Sequence, residues 1–269
     1  MTDRRGADEP VWRSTEIGGH TMASRHWSPP GLRDGDGSGV SAGSTRDVVL
    51  VHGLVVSSSY HVPLAQRLAD RYAVHAPDLP GFGRSSRPGS YLDTRELGRI
   101  LAAWIEARDL RGATLVANSY GCQVMTETLL GRPDLAARVV LLAPTMERTA
   151  RRVDEQLRRW RMEQKTQSRP LRSLLVRDYL AAGIPRALAT FQHALDDAIE
   201  DRLPFLDQPT LVCRGTRDPI ISQAWADEVA ATLRNGRSAR LPGATHAVNH
   251  EQPLQTARVI DGFIARTAA

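Results

Sequence analysis

Leu115-Val116-Ala117-Asn118-Ser119-Tyr120-Gly121 is the stretch on which the reading of this chain turns. An apolar run ends at Asn118, a serine follows, and Cys122 to Leu130 then carries a helical pattern. A serine at so sharp a strand-to-helix turn is held strained and protruding, and neighbouring backbone admits only small residues two places before and two after it. Ala117 and Gly121 meet that demand. Because a serine hydroxyl is a poor nucleophile near neutral pH, the motif calls for a base elsewhere in the chain and a third group to orient it.

Working outward, short apolar runs alternate with helical patterns: Val48 to Val51, Ala73 to Ala76, Ala113 to Val116, Val139 to Leu142 and Thr210 to Cys213. Runs apolar on both faces read as buried parallel strands. Between them Leu97, Ile100, Leu101, Trp104 and Ile105 recur at the helical period, one face of a helix begun near Asp93 or Thr94. Val11 to Trp27 reads as two further strands around a Gly18-Gly19 turn. Strand and helix in alternation predict a parallel sheet covered on both sides, with ligands at the carboxyl ends of its strands. The alternation stops after Ala143. From Glu147 to Leu203 the pattern is helical throughout, with twelve Lys/Arg against nine Asp/Glu. The expected organisation is a core over 1–146 and 204–269, a helical cap inserted at 147–203, and a flexible loop over 28–47, where five glycines and Pro29-Pro30 leave almost nothing to bury.

Composition narrows the function classes. The hydrophobic fraction of 41% over 269 residues excludes a disordered or fibrous chain. No apolar run approaches the roughly 18 to 20 residues that span a bilayer, and Met1 to Glu9 is polar, so a soluble, cytoplasmic protein without a membrane partner is expected. The net charge of +5 is small for this length and its arginines are dispersed, which argues against nucleic acid. Cys122 and Cys213 have no second Cys or His at ligand spacing and read as small core residues. Neither a metal nor a cofactor is implied.

Four motifs together resemble the α/β-hydrolase family. The Ser119 turn resembles its nucleophile elbow, with Ala117 where the family pattern has its first glycine. His52-Gly53-Leu54 after the Val48 strand resembles its oxyanion turn, and Asp78 to Ser85 resembles its DxPGxGxS loop. Asp218, in Arg214-Gly215-Thr216-Arg217-Asp218-Pro219, and His246, in Leu241-Pro242-Gly243-Ala244-Thr245-His246, follow in the family order of serine, acid, histidine. The resemblance implies an eight-stranded, mostly parallel sheet flanked by helices, with Ser119 as nucleophile, His246 as base, Asp218 as acid, and the backbone N–H groups of Leu54 and Tyr120 as oxyanion donors. Glu147, after the strand ending at Ala143, is an alternative acid, and His250 an alternative base. The glycines at 81 and 83 lack the third glycine of a dinucleotide loop, Ser86 standing in its place, and no Gly-Lys-Ser follows.

Serine at the elbow points to acyl chemistry, whereas the dehalogenases and epoxide hydrolases of this fold use aspartate there. A small carboxylic ester or lactone is the expected substrate. Thioesters, amides, C–C hydrolysis of a meta-cleavage-type diketone, a non-hydrolytic biosynthetic reaction and ligand binding without turnover stay open. In the cap, Trp160, Met162, Tyr179 and Phe191 are candidate pocket walls, although apolar stripes on helices more often serve packing. Arg151, Arg152, Arg158, Arg159 and Arg161 read as a solvated face.

Overall fold

The structure is a computed structural model that describes residues 9–29 and 46–267. All but the ends of the loop expected over 28–47 lies outside the described residues. The strands are β1 (Val11–Ile17), β2 (His20–Trp27), β3 (Asp47–Val51), β4 (Ala73–Pro77), β5 (Ala113–Asn118), β6 (Ala136–Leu142), β7 (Thr210–Gly215) and β8 (Gly236–Leu241). They form one eight-stranded sheet in the order β1-β2-β4-β3-β5-β6-β7-β8. β1 and β2 pair as an antiparallel hairpin across Gly18-Gly19, β2 joins β4 antiparallel, and every other pairing is parallel.

The helices are α1 (Val62–Leu68), α2 (Thr94–Ala107), α3 (Tyr120–Leu130), α4 (Val153–Gln164), α5 (Arg169–Ala182), α6 (Ile184–Asp196), α7 (Gln223–Thr232), α8 (Val248–Glu251) and α9 (Pro253–Arg266). α2 starts where its capping signal predicts: Asp93 accepts from the Glu96 N–H, and Glu96 accepts from the Asp93 N–H. Both-face burial of the central strands is literal. Val49 and Val51 of β3 pack with α2, α3 and α7 residues, whereas Val48 and Leu50 pack with those of α1 and α9. Leu141 and Leu142 divide the same way in β6, as do Val212 and Cys213 in β7. Each such side chain removed from water contributes about 1.5–3 kcal/mol, which is why these runs carry no polar alternation.

The chain leaves β3 for β4 on one side and returns to β5 on the other, so the sheet order reverses at the β3/β5 junction. At such a point the connections diverge and leave a crevice at the strands' carboxyl ends. The loops after β3 and β5 carry Leu54 and Ser119 into it. Between β6 and β7 the chain runs through α4, α5 and α6. The end of this segment packs onto the core: Ala194, Leu195, Ile199 and Leu203 belong to the main apolar cluster, and Gln123 of α3 donates to the Ala194 and Asp197 carbonyls.

Candidate active site

Ser119 sits at φ 56°, ψ −126°, a conformation that costs a non-glycine residue about 1–3 kcal/mol. Two bonds hold it there. Its N–H donates to the Leu142 carbonyl at 2.9 Å, and its own carbonyl accepts from the Cys122 N–H at 2.9 Å. The crowding read from the motif is measurable, since a Cβ on Gly121 would stand 2.5 Å from the His52 oxygen and 2.8 Å from that of Val51. A Cβ on Gly53 would lie 3.2 Å from the Ser119 Cβ, so the β3 loop passes directly beside the serine. Val55 and Ala143, after β3 and β6, also have positive φ, which gathers backbone strain at this end of the sheet.

Asp218 and His246 meet because β7 ends in glycine. A Cβ on Gly215 would stand 2.3 Å from the Ala244 oxygen and 2.4 Å from that of Thr245, so only glycine lets the two loops run side by side. The Arg217 N–H donates to Ala244 O, and Arg214 clamps the acid loop through the carbonyls of Asp218 and Ile221. The Asp218 carboxylate is fully used: Oδ1 accepts from the N–H groups of Ile220 and Ile221, and Oδ2 stands 2.9 Å from His246 Nδ1. Because that carboxylate can only accept, Nδ1 carries the proton and Nε2 is left with a lone pair. Burial disfavours the charged imidazole, but the Asp218 charge and hydrogen bond, joined by the charge of Glu163, outweigh it and raise the His246 pKa above its ordinary value.

Ser119 and His246 line one cavity of about 470 Å³, a volume suited to a small-molecule ligand. Leu54 and Tyr120 line it too, and among the described residues neither backbone N–H has a backbone acceptor. The Tyr120 ring turns away into the core, its hydroxyl 3.2 Å from Thr94 Oγ1. The β3 loop is itself fastened. His52 accepts from the Leu79 N–H at Nε2, which fixes its proton on Nδ1 against Gly53 O, and Asp78 accepts from the N–H groups of Ser58 and Arg84. The Asp78 to Ser85 motif is thus a brace: a Cβ on Gly83 would overlap the Asp78 carboxylate at 2.1 Å.

The alternative residues are occupied elsewhere. Glu147 accepts from Arg159 at 2.5 Å and from the Ser222 N–H and hydroxyl, tying α4 to the segment before α7. Although burial opposes its ionisation, those partners hold its carboxyl below the usual range. His250 stacks on Tyr60 and is absent from the cavity lining. Trp160, Tyr179 and Phe191 do line the cavity. Met162 does not; it is exposed, with its sulfur 3.2 Å from an Arg158 nitrogen. The reason is helical phase: Gln156, Leu157, Trp160 and Glu163 form the cavity face of α4, and Met162 stands two residues, about 200°, round from Trp160. Sequence reasoning passed over Glu163, Leu157 and Gln156, which spacing from Trp160 could have found. Of the five arginines here, Arg151 and Arg152 before α4 pair with Glu200 and Asp154, Arg158 and Arg159 of α4 pair with Glu155 and with Glu147 and Glu155, and Arg161 is exposed.

A largely parallel sheet with a strained serine and a carboxylate-held histidine on one cavity wall, at the reversal of strand order, has the architecture of a hydrolytic enzyme. The family model described as "Alpha/beta hydrolase family" matches residues 48–259, and the chain belongs to that family and is a hydrolase of this type. It is similar to the uncharacterized hydrolase YugF of Bacillus subtilis, 24% identical across 96% of this chain and 99% of that protein. It is also similar to a haloalkane dehalogenase of Agrobacterium fabrum, 25% identical across 85% of this chain and 88% of that protein. Among solved structures, a bacterial membrane phospholipase A shares the fold with a TM-score of 0.80, at 21% identity over 97% of this chain and 87% of the other. No helix among the described residues is long and apolar enough to cross a membrane.

Proposed function

We propose that the protein is a serine hydrolase that cleaves a small carboxylic ester or lactone through an acyl-enzyme. Ser119 is the nucleophile, His246 the general base and acid, and Asp218 the group that orients and charges the histidine. The observation that carries this reading is the 2.9 Å Asp218–His246 contact, which leaves Nε2 unprotonated in the cavity that Ser119 lines. An alkyl-ester route, as dehalogenation uses, needs a carboxylate at residue 119, whereas a serine there favours attack on a carbonyl.

The chemistry follows in two halves. His246 Nε2 takes the Ser119 proton as Oγ bonds to the carbonyl carbon, and the developing alkoxide is met by the N–H groups of Leu54 and Tyr120. Each such donor is worth about 2.7–4 kcal/mol in comparable sites. The imidazolium, stabilised by Asp218, hands its proton to the departing alcohol as the C–O bond breaks. Water then attacks the acyl-enzyme with the same histidine as base, releasing the acid and restoring Ser119. The helices at 147–203 act as a cap whose α4 to α6 side chains wall the cavity and select the substrate. Ser119→Ala is expected to keep the wild-type thermal midpoint and to lower kcat/KM on short acyl p-nitrophenyl esters by roughly 10³-fold or more. Undiminished turnover by the pure variant would remove Ser119 from the mechanism.

A further inference from the structure

One cavity group forms and breaks no bond in that chemistry, although its charge helps raise the His246 pKa. Glu163 is 2% exposed, lines the cavity with Ser119 and His246, and its carboxyl oxygens make no hydrogen bond of good geometry, only weak approaches to the His246 N–H and the Thr245 hydroxyl. The neighbouring cations do not reach it: Arg158 and Arg159 pair with Glu155 and Glu147, and Arg161 is exposed. Thr245 and the His246 backbone are its polar neighbours, and the Thr245 hydroxyl likewise makes no hydrogen bond of good geometry. Burial pushes the Glu163 carboxyl above the usual range, with Asp218 adding to the effect and His246 opposing it.

Three aromatic side chains share the cavity with this carboxyl. The charge of Glu163 acts on Tyr60, Tyr60 packs in one apolar cluster with Tyr179, and the Tyr179 hydroxyl meets Trp160. Tyr60, Tyr179 and Trp160 all line the cavity. A buried carboxyl without a strong partner in an aromatic-lined cavity suits a cation, because an incoming positive charge offsets the burial that disfavours the ionised form, the ring quadrupoles add to the attraction, and the ligand supplies a strong donor. Its place next to His246 says which half of the substrate it meets. In acyl transfer the histidine gives its proton to the leaving group, so the leaving group stands beside it.

We propose that Glu163 binds a protonated amine on the leaving alcohol, so that the substrates are esters of amino alcohols whose acyl chain takes the aliphatic remainder of the cavity. This rests on the serine acyl-enzyme reading. The test compares 2-(dimethylamino)ethyl butyrate with 3-methylbutyl butyrate, which has carbon in place of nitrogen, by pH-stat titration, each rate divided by that ester's own hydroxide-catalysed rate. Wild-type enzyme is expected to favour the amine ester by about tenfold or more in kcat/KM, Glu163→Gln to bring the ratio to within about threefold of unity, and Glu163→Asp to retain part of the preference. Equal use of the two esters by wild type, or a preference that survives in Glu163→Gln, overturns the proposal, and the wild-type ratio decides even if a variant fails to fold. If neither ester turns over while a fluorophosphonate labels Ser119, the amino-alcohol assignment falls alone. If Ser119 also fails to label, the acyl-enzyme reading falls and takes the assignment with it.

Discussion

The carboxyl edge of the sheet and the helices between β6 and β7 treat their polar groups in opposite ways. At the sheet edge each carboxylate is saturated: Asp218 accepts three hydrogen bonds and Asp78 two, all on loops that glycines bring into register. On the cavity face of α4, Glu163 accepts no hydrogen bond of good geometry, and Leu157, Trp160, Leu180 and Leu188, which line the same cavity from α4, α5 and α6, are exposed apolar groups. The first arrangement fixes one histidine in one tautomer. The second leaves a surface whose interactions are completed by what binds, which suits selection rather than bond breaking.

The largest effect that separates the two regions is expected from their two acidic anchors. Asp218→Asn should cost roughly 10³- to 10⁴-fold in kcat, because an amide favours the wrong tautomer and cannot stabilise the imidazolium. Glu147→Gln should leave kcat within about tenfold while lowering unfolding free energy by about 1–3 kcal/mol, since it breaks charged hydrogen bonds that join α4 to the sheet. Steady-state kinetics and denaturant titration on the two variants measure both, and the reverse ranking would move the acid to Glu147.

A smaller effect lies in pH. The base acts when neutral, and Asp218 with Glu163 raises the His246 pKa. Activity should therefore fall with decreasing pH along a limb whose midpoint lies above the ordinary imidazole value of about 6.5. In Asp218→Asn burial is opposed by less charge, and the residual activity should keep its limb at lower pH. A kcat/KM profile over a soluble ester reads both positions, and a midpoint that does not move between the two enzymes would detach Asp218 from His246. The smallest effect belongs to the cavity mouth. Leu188→Ala should alter the preference for acyl-chain length by roughly three- to tenfold with the pH limb unchanged, because it removes apolar contact without touching the base. An identical chain-length profile would take α6 out of the binding wall.

The same contrast explains what the chain discloses before folding. Backbone crowding restricts residue type, so the small residues around Ser119 and the Gly215 beside Asp218 leave a trace in sequence, and the both-face burial of β3, β5, β6 and β7 leaves another. β8 leaves almost none. It is an edge strand whose Arg237, Ser238 and Arg240 face solvent, so neither an apolar run nor alternation marks it. The cavity face of α4 is equally quiet. A glutamate amid five arginines reads as one more solvated charge, and only the phase set by Trp160 turns Glu163 inward and Met162 outward. How the segment expected as a cap at 147–203 is fastened is equally unmarked, because Ala194, Leu195 and Ile199, which pack into the main apolar cluster, have the same composition as any helix interior.

The central claim is an activated serine at the turn after β5, and labelling tests it without knowledge of the substrate. Wild-type protein treated with a fluorophosphonate should gain one adduct by intact mass, with the modified peptide containing Ser119, and Ser119→Ala and His246→Ala should gain none. An unlabelled wild-type protein, or an adduct on another residue that persists in Ser119→Ala, would contradict the account.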